Sequence, residues 1–411
     1  MKRYSLILLL LTMLCACHKN HHDDPVPEPD PQHTVLVYMA GENNLSDVLS
    51  SDITEMAEGS LLLNENQHLL ALVDSIGTPK PYIAEFSQGT WRKVYQYESD
   101  FSSADPAKLR EAILWTVNNY PSEDYGLVLW GHASGWAVST DTIPGSISNS
   151  RAYGQDRGTD GRTYWMNITQ MAKALEGTPH LKFILADCCD FMCIENAYEL
   201  RHTADYLIGS PAEIPDDGAP YQLLVPKLFS ESPTFYRDII DCYYDYYFQE
   251  YQKPYKQSLN LYGYSIPLSA IDLSQMDALA SATRTVISTF VPVYPEELAF
   301  DGIPFYFGYD YNVMYDMKGI IHKKASSMAY NDWERTFALA VPYYRMSMKW
   351  LTVYSNLKSN FITFDPDEGQ YGCVSVFIPK KIYKNSSFDY NVRIRNFQWY
   401  YDAINWSEYG W

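Results

Sequence analysis

Short, β-favouring apolar runs alternate with segments of helical periodicity along most of this chain, and this alternation strongly limits its fold. The run from Thr34 to Ala40 is continuously β-favouring, as expected for a strand covered on both faces. The next segment, Leu45 to Met56, has helical spacing, and Asn44 or Ser46 is available to cap it. Strands that alternate with helices predict right-handed crossovers and a parallel sheet.

The alternation is regular up to Gly209 and less regular beyond it. Further strands are predicted at 68–73, 82–86, 91–97, 126–130, 182–186, 206–209, 268–272 and 371–378, and further helices at 106–118, 168–175, 192–202, 233–251, 275–290 and 333–353. We therefore predict an α/β fold with a mostly parallel central sheet flanked by helices, plus a C-terminal helical and aromatic subdomain packed on it.

Composition excludes several classes of protein. Acidic residues outnumber basic ones by 50 to 31, and the formal net charge of −19 argues against nucleic acid as the main partner. Apolar residues form 46% of the 411, which excludes a disordered or collagen-like chain. Seven cysteines are too few for a disulfide scaffold of this length. They are unevenly placed, at Cys15, Cys17, Cys188, Cys189, Cys193, Cys242 and Cys373.

The N-terminus has the pattern of an export signal. A basic start is followed by an apolar run from Leu6 to Leu14, which is too short to span a bilayer. The run ends at a motif that resembles a bacterial lipoprotein box, with Cys17 as the lipidated first residue; an ordinary cleaved signal is the alternative. The segment 17–33 is polar and proline-rich, as expected for a disordered linker. These features predict a lipid-anchored protein of the bacterial cell envelope, periplasmic or on the outer-membrane surface.

Two predicted strands end in residues that can carry covalent catalysis. The strand that ends at Trp130 runs into His132, and the strand that ends at Ala186 runs into Cys188 and Cys189. Ligands in open parallel sheets bind beyond the carboxyl ends of the strands, so adjacent strands would bring these side chains to one cleft. A thiol becomes a useful nucleophile when an imidazole lies close to it.

A helix expected to begin near Asp190 would favour catalysis, because its N-terminal dipole would lower the pKa of the preceding thiols.

Spacing alone nevertheless leaves alternatives to catalysis open. Cys188, Cys189, Cys193 and His202 could instead ligate zinc, although adjacent cysteines lack the usual ligand spacing. Buried, unreactive thiols at a strand end are the more serious alternative.

Seven ordered segments carry a further signal: VLVYMAGENNL at 35–45, LVLWGHASGW at 127–136, ADCCDFM at 186–192, ENAYEL at 195–200, ADYLI at 204–208, EIPDDGAPY at 213–221 and GCVSVFIP at 372–379. Together they resemble the clostripain-like cysteine peptidases of the caspase-like clan, over nearly the whole folded part of the chain. The resemblance implies a caspase-like sandwich and a cysteine endopeptidase that uses a Cys–His dyad and a thioester acyl-enzyme.

The resemblance assigns roles at the two strand ends. Counting back from residues 197–199 with the family's spacing makes Cys189 the nucleophile, and Cys188 stands where the family usually has alanine. His132 carries over as the general base or ion-pair partner. The backbone N–H groups of Cys189 and Ala133 would form the oxyanion hole, although the family commonly has glycine in place of Ala133.

The resemblance also implies a preference for substrates with Arg or Lys before the cleaved bond. Asp187 and Asp217 match the positions of the acidic groups that line the first specificity pocket in such relatives, where a carboxylate pairs with a guanidinium. A plain turn at 216–218 is the alternative role for Asp217. Asp190 departs from the family's leucine, and a carboxylate there would raise the pKa of the neighbouring thiol.

The N-terminal pattern and the resemblance together give the whole chain an organisation. We expect a signal peptide at 1–16, the linker at 17–33, and a peptidase domain at 34–411 whose catalytic core is 34–230 and whose extension, 231–411, completes the sheet. The substrates would be proteins or peptides, and the chain would act as a monomer. No cofactor or metal is expected; calcium is implied for some relatives, but the sequence contains no calcium-loop motif.

Two further expectations concern activity. The polar segment 138–164 contains Arg151, Arg157 and Arg162, so an arginine-selective enzyme could process itself there. The rival function is a catalytically degenerate surface lipoprotein that binds peptide or glycan in a cleft lined by tyrosines of the helix at 233–251, although a helix packing an aromatic face is the simpler explanation for those tyrosines.

Overall fold

The structure is a computed structural model that describes residues 32–136, 153–157, 162–253, 263–291, 300, 302–308, 312–352, 361–363, 370–385, 390–405 and 408. The predicted signal and residues 17–31 of the predicted linker, with Cys17, lie outside these residues, whereas the last linker residue, His33, is the first residue of a strand. The described strands are β1 His33–Gly41, β2 Gln67–Ser75, β3 Tyr82–Ser87, β4 Thr90–Gln96, β5 Asp124–Gly131, β6 Tyr153–Arg157, β7 Thr163–Met166, β8 Leu181–Asp187, β9 Ala204–Gly209, β10 Leu268–Asp272, β11 Phe305–Gly308, β12 Asn312–Asp316, β13 Tyr343–Arg345, β14 Lys349–Leu351, β15 Phe361–Thr363 and β16 Ser375–Phe377. The described α-helices are α1 Ser46–Gly59, α2 Pro106–Asn119, α3 Ile168–Leu175, α4 Ile194–Leu200, α5 Tyr221–Leu228, α6 Phe235–Tyr251, α7 Met276–Ile287, α8 Met317–Lys324, α9 Ser327–Ala340 and α10 Tyr390–Arg393.

Nine strands form the central sheet, in the order β13-β10-β9-β8-β5-β1-β2-β3-β4. The five middle strands, β9, β8, β5, β1 and β2, are parallel to one another. β3 and β4 on one side and β10 and β13 on the other are antiparallel additions. The predicted α/β class with a mostly parallel sheet is confirmed.

Strand β1 shows why the sheet lies in the middle of the molecule. Its residues are buried on both faces, and they alternate between two cores, so a continuous apolar run is needed rather than a polar–apolar alternation. Leu36 and Tyr38 pack into one core, with α2, α3, α4, α7 and α9, whereas Val35 and Val37 pack into the other, with α1, α5 and α6. The result is a three-layer sandwich of helices, sheet and helices.

Two local predictions, near α1 and α9, are wrong. The helix predicted at 333–353 is instead α9, which ends at Ala340, followed by β13 and β14. Pro342 explains the break, because proline lacks a backbone N–H and disfavours helical geometry in the residue before it. Neither Asn44 nor Ser46 caps α1: the cap position is Leu45, without a side-chain hydrogen bond.

The C-terminal part of the chain is attached to the segment that follows β8. Ser375 of β16 donates its backbone N–H to the carbonyl of Met192 at 3.0 Å, and the fully buried carboxylate of Glu195 accepts the N–H of Phe377 at 2.8 Å. β16 also pairs with β12, which ends at Asp316. The strand thus joins the small sheet β11-β12-β16 to α4.

Asp316 organises that junction. Its fully buried carboxylate accepts hydrogen bonds from the Tyr306 hydroxyl at 2.6 Å and from the N–H groups of Gly319, Gly372 and Cys373 at 2.7, 3.0 and 3.0 Å. We expect Asp316→Ala to lower the free energy of unfolding by at least about 3 kcal/mol, because several buried donors lose their acceptor. Urea unfolding monitored by circular dichroism measures this change.

The exposed Asp332 provides the control for that measurement. Its partner Arg335 is also on the surface, so Asp332→Ala should change the stability by less than about 0.5 kcal/mol. Equal effects of the two substitutions would show that the Asp316 contacts contribute no special stability.

Burial raises the pKa of the Glu195 carboxyl to about 8. The folded chain therefore binds this proton more tightly than the unfolded chain, and the corresponding stability is complete below the unfolded pKa and is lost as the pH rises through the folded one. We expect the melting temperature to fall between about pH 5 and pH 8, and to fall less in Glu195→Gln. Scanning calorimetry across this range, with the exposed Glu65→Gln as control, tests the prediction; identical pH slopes in the two variants would contradict it.

Candidate active site

The strand register brings the two predicted catalytic segments together. In the parallel pair β5–β8, Trp130 is opposite Asp187, so the next residues of both strands leave the sheet side by side at its carboxyl edge. His132 lies two residues beyond Trp130, and Cys189 lies two residues beyond Asp187. The prediction that these strands are parallel neighbours is confirmed.

Of the adjacent cysteines, only Cys189 is partly accessible. Cys188 is 1% exposed and belongs to the hydrophobic core, whereas Cys189 is half-buried. The Cys189 Sγ accepts the N–H of Ile214 at 3.4 Å and lies 3.8 Å from the Ile214 carbonyl. Accessibility therefore distinguishes the two thiols in the same way as the family spacing.

The loop after β8 is held by backbone contacts rather than by a helix. Asp190 adopts a left-handed conformation (φ 56°) and donates its N–H to Ala212 at 2.9 Å, and Met192 donates to Ser210 at 3.0 Å. The expected helix start near Asp190 is wrong, because α4 begins only at Ile194. Its N-terminal dipole therefore does not lie at the residue after the thiol.

Electrostatics at Cys189 oppose thiolate formation. Burial raises the pKa of this thiol well above its usual value, and the carboxylates of Asp190 and Glu213 raise it further, while the Ile214 N–H lowers it. Asp190 is itself 4% exposed, and burial together with Glu213 raises its pKa. Protonated carboxyls beside the thiol would weaken this repulsion.

The His132 ring contacts the loop that follows β1. Its Nε2 lies 2.9 Å from the Oδ1 of Asn44, and its carbonyl accepts the N–H of Gly154 at 2.9 Å. Gly131, just before it, has φ 146° and approaches the Ala40 carbonyl so closely that a Cβ would lie 3.0 Å from that oxygen. Burial lowers the pKa of the imidazole, which favours the neutral ring.

In the described part of the chain, no hydrogen bond joins the Cys189 thiol to the His132 ring; the thiol contacts Ile214 and the ring contacts Asn44. The N–H groups expected to form the oxyanion hole, at Ala133 and Cys189, donate no backbone hydrogen bond among the same residues.

The two predicted specificity carboxylates lie in different surroundings. Asp187 is 3% exposed and accepts the hydroxyls of Tyr221 and Tyr243 at 2.7 Å each and the N–H of Ala219 at 3.2 Å. Burial raises the pKa of Asp187, and these hydrogen bonds lower it. Asp187 thus has partners within the protein.

Asp217 is exposed, in a turn closed by the N–H of Gly218 donating to the Pro215 carbonyl at 3.0 Å. The turn that was the alternative interpretation is present. It does not compete with the predicted role, because Asp217 also lines a cavity of about 240 Å³.

That cavity contains two carboxylates that sequence reasoning missed. Asp52 and Glu55 of α1 face it together with Asp217. Their i, i+3 spacing places them on one face of the helix and is the signal that could have indicated them. Asp52 accepts the Trp130 Nε1 at 2.6 Å, and burial followed by repulsion from Asp187 raises its pKa to about 8.

The tyrosines of α6 mostly pack inward. Tyr243, Tyr244 and Tyr247 are buried, and Tyr247 donates its hydroxyl to the Gly218 carbonyl at 2.7 Å. Only Tyr246 and Tyr247 also line the acidic cavity. Of the segment expected to process itself, residues 137–152 and 158–161 lie outside the described part of the chain.

The described residues that could hold a metal ion together are Glu42, Asp74 and Asp100, at the same sheet edge. In the described part of the chain, no helix combines the length and the apolar character needed to cross a bilayer.

Solved structures of C11 cysteine proteases are similar to this one. A secreted C11 cysteine protease from Bacteroides thetaiotaomicron, in complex with an irreversible peptide inhibitor, has 29% sequence identity and a TM-score of 0.76, covering 92% of this chain and 99% of its own. An inactive zymogen C11 protease from Parabacteroides distasonis has 25% identity and a TM-score of 0.71, covering 92% and 99%. The secreted C11 cysteine protease iotapain from Bacteroides thetaiotaomicron, at 17% identity and a TM-score of 0.70, covers 91% and 99% and is similar in fold.

No curated protein matches the sequence. The model of the clostripain family, in contrast, matches residues 37–411, which is most of the chain and includes both strand ends described above. The resemblance predicted from the sequence motifs is thereby confirmed. This chain belongs to the clostripain family of C11 cysteine peptidases.

Proposed function

We propose that this protein is an active cysteine endopeptidase that cleaves protein or peptide substrates after Arg or Lys through Cys189 and His132. The observation that carries the proposal is the register of β5 and β8, which brings a partly accessible thiol and a neutral imidazole to adjacent strand ends. Family membership supports the same reaction class.

The proposed reaction begins with proton transfer from the thiol to His132. The Cys189 Sγ attacks the substrate carbonyl, and the resulting oxyanion accepts the N–H groups of Ala133 and Cys189. The imidazole then gives its proton to the leaving amine, a thioester remains, and water hydrolyses it with His132 as base. To reach this geometry, Sγ turns away from Ile214, its present backbone contact at 3.4 Å.

Asn44 has a positioning role in this mechanism. With its Oδ1 2.9 Å from the His132 Nε2, the amide accepts an Nε2–H and leaves Nδ1 free to take up the thiol proton. An orienting group of this kind fixes the tautomer of a catalytic histidine without entering the reaction.

The preference for a basic side chain rests on the acidic cavity. Three carboxylates line it, and a guanidinium or ammonium that enters would gain charge-assisted hydrogen bonds. Asp217 is the exposed member and is the proposed contact. Asp187 would support the turn that carries Asp217, because it packs against Gly218: a Cβ on Gly218 would lie 3.2 Å from the Asp187 Oδ2.

We also propose that the protein is exported and anchored to the cell envelope by a lipid on Cys17, acting there as a monomer without a required cofactor. The support is the N-terminal signal pattern and the proline-rich linker. A similar protein from Bacteroides thetaiotaomicron is secreted.

The first test uses arginyl and lysyl peptide amides in reducing buffer. We expect turnover by the wild-type chain and a loss of at least about 1,000-fold in Cys189→Ala, because the nucleophile is removed. The matched control is Cys188→Ala, which should keep most of the activity because Cys188 is a core residue. Equal losses in both variants, or no turnover by wild type, would reject the assignment of Cys189 as the nucleophile. Binding of a peptide or glycan with the same affinity in wild type and Cys189→Ala would instead favour a degenerate binding lipoprotein.

The second test concerns specificity. We expect Asp217→Asn to lower kcat/KM for arginyl and lysyl substrates by about 10- to 100-fold, the effect of losing one charge-assisted contact. Its neighbour Asp216 is also exposed but does not line the cavity, so Asp216→Asn should leave kcat/KM within about twofold. Steady-state kinetics of the two variants measure this difference. The same loss of kcat/KM in both would assign the preference for basic substrates to general surface charge.

A further inference from the structure

Exposed apolar side chains cluster at the amino edge of the central sheet, where β1 and β2 begin. Leu61 and Leu62, in the short 3₁₀ turn that follows α1, are 60% and 69% exposed. Trp91, near the start of β4, is 44% exposed. Among the described residues, only Met328 exposes a larger fraction of a large apolar side chain than Leu62 does. Neighbouring apolar side chains that remain in water indicate an interaction site.

The three side chains belong to one surface because the β3–β4 turn packs on the end of α1. In that turn, the N–H of Gly89 donates to the Ser60 Oγ at 3.1 Å. A Cβ on Gly89 would lie 2.8 Å from the Leu61 Cδ2, and Trp91 follows Gly89 by two residues. We call Leu61, Leu62 and Trp91 the apolar patch.

The chain enters the described fold beside this patch. Gln32 donates its Nε2 to the Asn66 Oδ1 at 2.7 Å, and the N–H of His33 donates to the Asn66 carbonyl at 2.9 Å. Asn66 follows Leu62 by four positions and directly precedes β2. Cys17 lies 15 positions before Gln32, a length of chain that spans at most about 54 Å. A lipid on Cys17 would therefore keep this edge of the protein close to the bilayer.

We propose that the apolar patch docks on the bilayer to which the chain is tethered, with its three side chains in the interface between headgroups and acyl chains. This docking rests on the lipid anchor proposed above for Cys17. Leucine partitions into the acyl region, and tryptophan is enriched at membrane–water interfaces. The tether holds the patch at a high effective concentration beside the lipid, so a patch too small to bind a bilayer alone can dock.

Charges around the patch favour a zwitterionic lipid surface. Glu58 and Glu65 are exposed on the two sides of the leucines along the chain, and Lys93 is exposed on β4. Arg92 forms an ion pair with Glu85. Attraction to anionic lipids requires a cluster of several unopposed Lys or Arg side chains, which these five residues do not provide. Phosphatidylcholine or phosphatidylethanolamine is therefore the expected partner.

Docking at this edge determines which way the candidate active site faces. β1 extends from His33 to Gly41, and Ala40 is opposite Gly131, the residue before His132. At about 3.3 Å per residue, β1 places the catalytic edge about 26 Å from the docked edge. The candidate active site then opens away from the bilayer, so its substrates are soluble or surface-exposed protein segments rather than membrane-embedded ones. This consequence, unlike the docking, also rests on the peptidase assignment.

The test uses the full chain with Cys189→Ala, purified with its lipid and reconstituted in phosphatidylcholine vesicles. Brominated acyl chains quench a tryptophan that enters the bilayer, so they should lower the total fluorescence by up to about a tenth, the share of one of the 10 tryptophans. Trp91→Phe should remove this quenching, and Leu61→Asn combined with Leu62→Asn should reduce it at least about twofold. Met328→Asn should leave it unchanged, because Met328 is equally exposed but lies on α9, in the other helical layer.

Each outcome decides the proposal. A mature chain without lipid on Cys17, read by mass spectrometry of the intact protein, overturns the docking together with the anchor. A lipidated chain without quenching, or with quenching that survives Trp91→Phe, overturns the docking alone. Light scattering in detergent that shows a change of oligomeric state in the leucine variant would assign the patch to a second copy of the chain, against the proposal. Because all readings are made without the nucleophile, failure of the peptidase assignment leaves them unaffected.

Discussion

The parallel pairing of β1 with β5, and of β5 with β8, determines where the polar groups of the candidate site lie. Ala40 of β1 is opposite Asp74 on one side and Gly131 on the other, and Trp130 of β5 is opposite Asp187. Both faces of these strands are buried, so a slip of one residue would move each side chain to the opposite core. The apolar run that makes β1 a strand thus also fixes the register, and with it the positions at which the two catalytic segments leave the carboxyl edge of the sheet.

Carboxyl groups are concentrated at this edge. Asp52, Asp74, Asp187 and Asp190 are buried there, and burial raises the pKa of each. A thiol in such surroundings is a weak nucleophile until a positive charge or a base compensates. The basic side chain of an arginyl or lysyl substrate is the cation that the proposed function brings to this edge.

Elements that are specified by local sequence could be predicted. β1 and α2 follow from the apolar run and from Pro106 at a helix start, and the β3–β4 hairpin follows from its turn, where Gln88 and Gly89 adopt φ angles of 52° and 77°. Local patterns failed where a single residue interrupts a longer periodicity, as Pro342 does after α9.

Contacts between distant residues could not be predicted in the same way. Asn44 and His132 are 88 positions apart, and nothing in either neighbourhood marks the hydrogen bond that joins them. The burial of Asp74 is equally invisible in sequence, since a carboxylate at a strand end is ordinarily solvated. The family spacing indicates Cys189 rather than Cys188 as the nucleophile. The structure adds the physical difference, since Cys189 is partly exposed and Cys188 is buried.

The attachment of β16 to the segment around Met192 determines when the contacts around Cys189 can form during synthesis of the chain. Ser375 and Phe377 follow their partners Met192 and Glu195 by 183 and 182 positions. While the ribosome is still producing the intervening chain, the buried carboxylate of Glu195 has no N–H from Phe377, and the segment that carries the thiol lacks a neighbouring strand. The nascent chain therefore completes the surroundings of Cys189 only after the residues up to Phe377 have been made.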